Sequence, residues 1–294
     1  MTSFNLGLAQ IKTRLGDVRA NLDKHLAYID EAARQGVDVL VFPELSLTGY
    51  VLQDLVPTVA HRPTAEDPVF AELLAASKAR DMDLVVGFVD EDARSRFFIA
   101  AAYVSRGEVV HVHHKVYLPT YTMFHDGRFF AWGDSVRAFD TRFGRFGVLI
   151  CEDFWHVSAP YLLWLDGADV MLFSNASPGR GLSDEPRPDT ARWVEHVLQA
   201  YASLFTTFVA HTNKAGYEDG FNFWGGSAVF DPDGLMLAQA PYFDEALTVS
   251  RLDLNQLHRT RYSLPLLRDE RHALVAREIA RITAGAAGAR DKGQ

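Results

Sequence analysis

The sequence predicts an α/β fold with an internal repeat. Apolar runs of strand length alternate with helical stretches, a pattern typical of strands covered by helices. The segment GVDVLVFPE at 36–44 matches GADVMLFSN at 167–175 position by position. A hydrophobic content of 48% gives a chain of 294 residues enough apolar material for a sizeable core.

Each half of the repeat predicts the order strand, helix, strand, helix, strand. In the first half these elements cover 4–10, 18–35, 36–44, 67–80 and 83–89. In the second half they cover 146–151, 158–166, 167–175, 189–203 and 206–211. The alternative is that Gly-x-Asp-Val followed by apolar residues is only a common helix-to-strand join. The matching order of whole elements favours a true repeat.

The rest of the chain predicts β-rich connections. We expect two strands around a turn at Arg106-Gly107 within 97–118, a hairpin closed by Asp-Pro-Asp-Gly within 225–240, and a strand at 246–254. Because no linker divides the chain, we expect a single domain over 1–281 and a flexible tail over 282–294.

Composition and charge exclude several classes of protein. A formal net charge of −9 without a basic run argues against nucleic acid or an anionic membrane as a partner. The apolar runs are too short for a membrane span, and the first residues lack a secretory signal pattern. One cysteine cannot form an internal disulfide, which favours a reducing compartment. We therefore expect a cytoplasmic protein.

Polar residues follow three of the predicted strands. The repeat makes Glu44 and Asn175 equivalent positions, each just beyond an apolar strand, and Cys151 ends another strand. Open α/β sheets bind ligands beyond the carboxyl ends of their strands. These three side chains are therefore candidates to converge on one site.

Cys151 allows two interpretations. One is a buried structural thiol, since free cysteine is among the most buried residue types. The other is a nucleophile, which needs a base or a cation, the more so because Glu152 and Asp153 follow directly. The 11 histidines stand at no informative spacing for a papain-type pair. With no second cysteine and no His-x-x-x-His, a metal site is disfavoured.

Lys115 and Glu44 could supply what Cys151 needs. Lys115 ends an apolar strand before a proline-bearing turn, so it is either a solvated strand-end charge or a cation that stabilises a thiolate and an oxyanion. Glu44 follows an apolar run, so it is either a turn carboxylate or a carboxylate held in a cleft.

Three segments together resemble the nitrilase superfamily of carbon–nitrogen hydrolases. They are FPELSLTGY around Glu44, HHKVYLP around Lys115 and GVLICEDFWH around Cys151, and NASP at 175–178 and GGSAVFDPDG at 225–234 also match. The resemblance covers about 4–270. It implies a four-layer α-β-β-α sandwich and a catalytic set of Glu44, Lys115 and Cys151.

Within that superfamily the chain is most similar to the glutaminase domain of glutamine-dependent NAD synthetases. Since it has no Gly-rich phosphate loop, we expect a stand-alone, amidase-like member. Two segments depart from the family pattern. Asp126 stands where the family often has a second glutamate, and GRGLSDEPRPD at 179–189 replaces an arginine-bearing segment, which argues against glutamine as the substrate.

The resemblance implies a hydrolase that cleaves the C–N bond of a small amide through a cysteine thioester and releases ammonia. Alternatives are an N-carbamoyl amide hydrolase, an ω-amidase or a nitrilase on the same triad, or an inactive interaction module. We expect no cofactor or metal, and a homodimer or larger even oligomer. The expected oxyanion or supporting residues are Glu152, through its backbone N–H, and Asp126. The expected substrate-binding residues are Tyr121, Phe124, Phe154, Trp155, Asn175 and Ser177.

Overall fold

The computed structural model describes residues 3–179 and 187–290, with side chains described as far as residue 284. The strands are β1 Ser3–Gln10, β2 Val39–Val41, β3 Ala60–His61, β4 Asp83–Glu91, β5 Phe97–Ser105, β6 Glu108–His114, β7 Phe139–Thr141, β8 Gly144–Ile150, β9 Val170–Asn175, β10 Phe208–Asn213, β11 Ala215–Glu218, β12 Phe221–Trp224, β13 Ala228–Phe230, β14 Met236–Gln239 and β15 Ala246–Asp253. The α-helices are α1 Val18–Arg34, α2 Pro68–Arg80, α3 Asp126–Phe129, α4 Ser158–Leu165, α5 Asp189–Phe205, α6 Asn255–Ser263, α7 Leu266–Asp269 and α8 His272–Arg290. Two 3₁₀ helices cover Gln53–Thr58 and Cys151–Trp155.

The strands form two large sheets with the same internal order. The first runs β15-β1-β2-β4-β5-β6, with β3 paired to β4, and the second runs β7-β8-β9-β10-β13-β14. In each sheet three parallel strands are followed by two antiparallel ones, and a further antiparallel strand closes the other edge. This shared order confirms the repeat predicted from the sequence. Strands β11 and β12 form a separate small sheet.

Three apolar clusters define four layers. The central cluster lies between the sheets and includes Leu8, Val41, Val148 and Leu172. A second cluster packs α1 and α2 on the first sheet, and a third packs α4 and α5 on the second. Because each parallel strand is covered on both faces, it reads as a continuous apolar run. The predicted α-β-β-α sandwich is confirmed.

Local signals explain where the first helices begin. The Asp17 side chain accepts a hydrogen bond from the backbone N–H of Ala20 and caps α1. The Asp67 side chain accepts from the N–H groups of Val69 and Phe70, and Pro68 occupies the first turn of α2. These residue types favour helix starts because they satisfy N–H groups that lack an intrahelical partner.

The strands expected in the remaining parts of the chain are present. Strands β5 and β6 are joined at Arg106 and Gly107, whose φ angles are +52° and +87°, as a two-residue hairpin requires. Helix α8 runs from His272 to Arg290, and the flexible tail expected over 282–294 stays a prediction. Among the described residues, no helix combines the length and apolar character needed to cross a membrane.

The two sheets meet where β2 and β9 end. The hydroxyl of Ser174 donates to the backbone carbonyl of Phe42 at 2.9 Å. Gly87 on β4 allows the chain after β2 to approach closely, since a Cβ there would lie 2.3 Å from the carbonyl oxygen of Pro43. Glu44 is thereby carried from the first sheet to the edge of the second.

Candidate active site

Lys115 lies buried between two carboxylates. Its Nζ is 2.7 Å from Oε1 of Glu44 and 2.7 Å from Oδ2 of Asp126. Burial alone would lower the pKa of this ammonium, but the charges of Asp126 and Glu44 raise it well above its ordinary value. The lysine therefore stays charged through the neutral range. An ammonium has three N–H donors, and these two carboxylates take two of them.

Glu44 is fully buried and held from two sides. Its Oε1 accepts from Lys115, and its Oε2 accepts the backbone N–H of Ala176 at 3.0 Å. Burial raises the pKa of this carboxyl group, while Lys115 opposes the shift and the charge of Asp126 adds to it. The Cys151 side chain lies near enough to lower the pKa of this carboxyl group slightly, against the effect of burial. Glu44 is therefore a base placed next to the thiol.

Cys151 occupies a sharp strand-to-helix turn. It follows β8, begins a 3₁₀ helix and has a φ of +45°, in the left-handed region that few non-glycine residues adopt. The side-chain oxygen of Asn175 accepts the Cys151 backbone N–H at 3.2 Å and supports this conformation. Burial and the Glu44 carboxylate raise the pKa of the thiol well above its usual range, against the effect of Lys115. The resting form is therefore a thiol beside a base.

Tyr50 is a site residue that the sequence reading missed. Its hydroxyl donates to Oδ1 of Asp126 at 3.0 Å, so both oxygens of that carboxylate are held. The backbone N–H groups of Tyr50 and Val51 donate to Oε1 of Glu218 at 2.6 and 2.8 Å. Glu218 in turn pairs with the buried Lys214. A second buried ion pair thus fixes the loop that positions Tyr50.

Asp153 joins the cysteine turn to the lysine turn. Its Oδ1 accepts the backbone N–H groups of Val116 and Tyr117 at 3.0 and 2.9 Å. Its Oδ2 accepts the N–H of Ile150 at 3.0 Å and lies 2.8 Å from Nε2 of His113. One buried carboxylate therefore holds the residues that adjoin both Lys115 and Cys151.

Asp153→Asn should lower the free energy of unfolding by about 3 kcal/mol. An asparagine amide would turn an NH₂ group toward backbone donors, and each buried hydrogen bond to a charged group contributes about 1.5–3 kcal/mol. Urea unfolding followed by circular dichroism measures the change. Asp140→Asn is the matched control, since Asp140 pairs with Arg145 at an exposed site and should matter by about 1 kcal/mol or less. Equal changes in the free energy of unfolding in the two variants would show that Asp153 contributes no more to stability than an exposed charge does.

A cavity of about 700 Å³ opens onto Cys151. Five of the predicted substrate-binding or supporting residues line it: Tyr121, Phe124, Glu152, Trp155 and Ser177. The other described lining residues are Pro119, Pro178, Asp189, Thr190, Trp193, Val194 and Trp224. The Glu152 carboxylate faces this space and accepts the Tyr121 hydroxyl at 2.8 Å.

Two predicted substrate-binding residues lie behind the cavity wall. Phe154 is fully buried and stacks on Phe173, with ring centroids 5.4 Å apart. Asn175 is also fully buried and contacts the backbone of Cys151.

Most of the segment GRGLSDEPRPD, residues 180–186, lies outside the described residues. Within the described part of the chain, no group of three His, Cys, Asp or Glu side chains is arranged to hold a metal ion.

Comparison with known proteins agrees with this geometry. The family model described as carbon-nitrogen hydrolase matches residues 5–262. The chain belongs to the carbon–nitrogen hydrolase family. This hydrolase is 30% identical over 256 residues to the glutamine-dependent NAD(+) synthetase of Acinetobacter baylyi. The matched region covers 87% of this chain and 45% of that protein. The hydrolase therefore spans less than half the length of this relative.

Solved structures show the same fold. The glutamine-dependent NAD+ synthetase from Acinetobacter baumannii superposes with a TM-score of 0.77 at 29% identity, over 87% of the hydrolase and 46% of that chain. An amidase from Nesterenkonia sp. superposes with a TM-score of 0.77 at 24% identity, over 95% and 97% of the two chains. The sandwich described above is thus the nitrilase-superfamily fold.

Proposed function

We propose that this hydrolase cleaves the C–N bond of a small amide through a thioester on Cys151 and releases ammonia. The observation that carries the proposal is the Lys115 ammonium, which lies 2.7 Å from each of two buried carboxylates next to a cysteine on a strained turn. A thiol that only fills space in the core does not require a buried lysine and two buried carboxylates beside it. The cavity at Cys151 gives a substrate access to it.

In the first half-reaction Glu44 takes the thiol proton as the sulfur attacks the amide carbon. The third N–H donor of Lys115 and the backbone N–H of Glu152 stabilise the oxyanion that forms. Glu152 is the second residue of the 3₁₀ helix, where backbone N–H groups lack an intrahelical acceptor. As the C–N bond breaks, Glu44 returns its proton to the nitrogen, and ammonia leaves.

In the second half-reaction water hydrolyses the thioester. Glu44 accepts a proton from the water as its oxygen attacks the acyl carbon, and Lys115 again holds the oxyanion. The C–S bond breaks, the carboxylic acid leaves and the proton returns to Cys151. Asp126 supports both steps by fixing the ammonium, and Tyr50 fixes Asp126.

Ammonia release from a panel of amides, N-carbamoyl compounds and nitriles tests the proposal. Release from an amide supports it, whereas release from a carbamoyl compound or nitrile alone would assign the triad to an alternative substrate class. Mass spectrometry of the protein with each compound tests for an acyl adduct on Cys151. No product and no adduct with any compound would favour an inactive interaction module. The expected even oligomer and the cytoplasmic location stay predictions.

Asp126→Asn should move the reactivity of the site to lower pH. Burial is the main cause that raises the pKa values of Glu44 and Cys151, and the Asp126 charge adds to both shifts. Removing that charge lowers both pKa values, so alkylation of Cys151 by iodoacetamide should begin at lower pH. The acid limb of turnover, where Glu44 becomes protonated, should move the same way.

The single cysteine makes alkylation a clean readout by mass spectrometry. We also expect kcat/KM to fall by about 10²-fold, the cost of a misplaced catalytic group. Asp140→Asn, at an exposed site, is the control and should leave both profiles unchanged. An alkylation profile that stays in place in Asp126→Asn would remove Asp126 from the electrostatics of the site.

A further inference from the structure

We propose that this active site selects amides with a large aromatic acyl chain that is neutral or positively charged, and discriminates against acyl chains that carry a carboxylate. This inference rests on the proposed amide hydrolysis. Three features of the cavity at Cys151 carry it: its size, its aromatic wall and the sign of its charges.

The cavity is larger than a small aliphatic amide needs. Its volume of about 700 Å³ lies in the range of sites that enclose drug-sized ligands. At about 30 Å³ for each water in the liquid, it has room for roughly twenty water-sized groups. Acetamide would leave most of this space filled with water, whereas an arylalkyl chain would displace that water from an apolar wall.

The wall is mostly aromatic. Three indoles, those of Trp155, Trp193 and Trp224, line it together with Tyr121 and Phe124. Trp224 is buried, but Trp155 is 40% exposed and Trp193 is 65% exposed. The rings of Trp155 and Trp193 lie next to each other, with centroids 6.1 Å apart and planes inclined by 49°. An aromatic group can stack on one of these indoles and contact the other edge-on, so it would cover apolar surface of both.

The charges of the described lining are acidic. Glu152 and Asp189 are its charged residues, and none of the described lining residues is a lysine or an arginine. Asp189 is exposed at the rim and lies 3.9 Å from Arg192, so it is partly neutralised. The inner charge is therefore that of Glu152, whose side chain is only 11% exposed and whose Oε1 lies 3.6 Å from Nε2 of His156. A substrate carboxylate near it would meet repulsion, while indole faces and a carboxylate both attract a cation.

A matched series of amides tests both selectivities. The series is propanamide, 3-phenylpropanamide, and the 4-aminomethyl and 4-carboxy derivatives of 3-phenylpropanamide, with glutamine for comparison. We expect kcat/KM for 3-phenylpropanamide to exceed that for propanamide by about tenfold or more. The aminomethyl derivative should match or exceed the parent, and the carboxy derivative should fall below it. Equal rates for propanamide and its phenyl derivative, or a preference for the carboxy derivative, would overturn the inference.

Trp193→Ala should lower the phenylpropanamide-to-propanamide ratio of kcat/KM toward one, since it removes one of the two exposed indoles of the wall. Glu152→Gln should bring the kcat/KM values of the aminomethyl and carboxy derivatives closer together. Tyr262→Ala is the control: Tyr262 is an aromatic residue on α6, 89% exposed and not part of the cavity lining. It should leave both ratios unchanged. If Trp193→Ala also leaves the phenylpropanamide-to-propanamide ratio of kcat/KM unchanged, the aromatic wall does not select the substrate.

Binding to the Cys151→Ala protein separates this inference from the proposed function. Calorimetric titration should show tighter binding of 3-phenylpropanamide than of propanamide, whether or not the wild type turns either over. Selective binding without turnover would keep the selectivity and reject the hydrolysis of these amides. Turnover of propanamide and phenylpropanamide at equal rates would keep the hydrolysis and reject the selectivity.

Discussion

Replacing Cys151 with alanine is expected to lower kcat for ammonia release by about 10⁶-fold, the scale of loss when a covalent nucleophile is removed from a catalytic set. The thiol forms the bond that splits one difficult step into two, and no other cysteine in the sequence can replace it. Glu44 would keep its place, because Ala176 and Lys115 hold it independently of the sulfur. Ammonia assays at high enzyme concentration measure the residual rate.

The fold should survive this change. Alanine removes a single buried sulfur, and the free energy of unfolding should fall by only about 1 kcal/mol. Cys151→Ser is the matched control because it keeps a group of similar size at the φ of +45°. Full activity in Cys151→Ala would show that the thiol takes no part in the chemistry and would contradict the mechanism. Loss of activity together with loss of structure in both variants would instead show that the thiol has a structural role.

The sequence predicted the layered fold well because its local signals are strong. The helices at 18–35 and 189–203 were placed within two residues of α1 and α5 at each end. Strand β2 was overestimated, since it covers only Val39–Val41 of the predicted 36–44. The chain leaves the sheet at Phe42 in order to carry Glu44 across to the second sheet. An apolar run cannot show that departure, because Phe42 is as fully buried as the strand residues before it.

The candidate site was only partly accessible to sequence reasoning. Residues at strand ends could be expected to converge, and the structure does bring Glu44, Lys115 and Cys151 together. Asp153 was treated as an unhelpful neighbour, yet it holds both active-site turns. The role of Asp153 depends on its contacts with His113 and Val116, which are about 40 residues away in sequence. Pairings of that range depend on the assembled sheets, and so does the meeting of Trp155 with Trp193.

Lys115→Met is expected to have the second-largest effect, because it removes the cation from between two buried carboxylates. Losing one oxyanion donor lowers kcat by about 10²–10³-fold. Breaking a buried ion pair by deleting one partner typically costs about 3–5 kcal/mol of folding free energy. Lys24→Met is the control, since Lys24 pairs with Glu245 where both side chains are 33% exposed. Its loss of folding free energy should be about 1 kcal/mol or less.

The stability loss in Lys115→Met should depend on pH in a defined direction. Without the cation, burial and the charge of Asp126 raise the folded-state pKa of Glu44 above that of the unfolded chain. The folded variant then binds more protons than the unfolded one, so its stability rises as pH falls. Urea unfolding at several pH values should show the largest deficit relative to wild type in the alkaline range, and a smaller one as Glu44 becomes protonated.

Two further measurements separate the charge effect from lost packing. Lys115→Met/Asp126→Asn removes one of the two facing charges, so it should recover part of the stability that Lys115→Met loses at alkaline pH. Alkylation of Cys151 should need a higher pH in Lys115→Met, because the lysine is the neighbour that lowers the pKa of the thiol. A deficit that is the same at every pH and is not relieved in the double variant would assign it to lost packing. The Lys115 charge would then be dispensable to the fold, and only the shift in alkylation could tie it to the chemistry of Cys151.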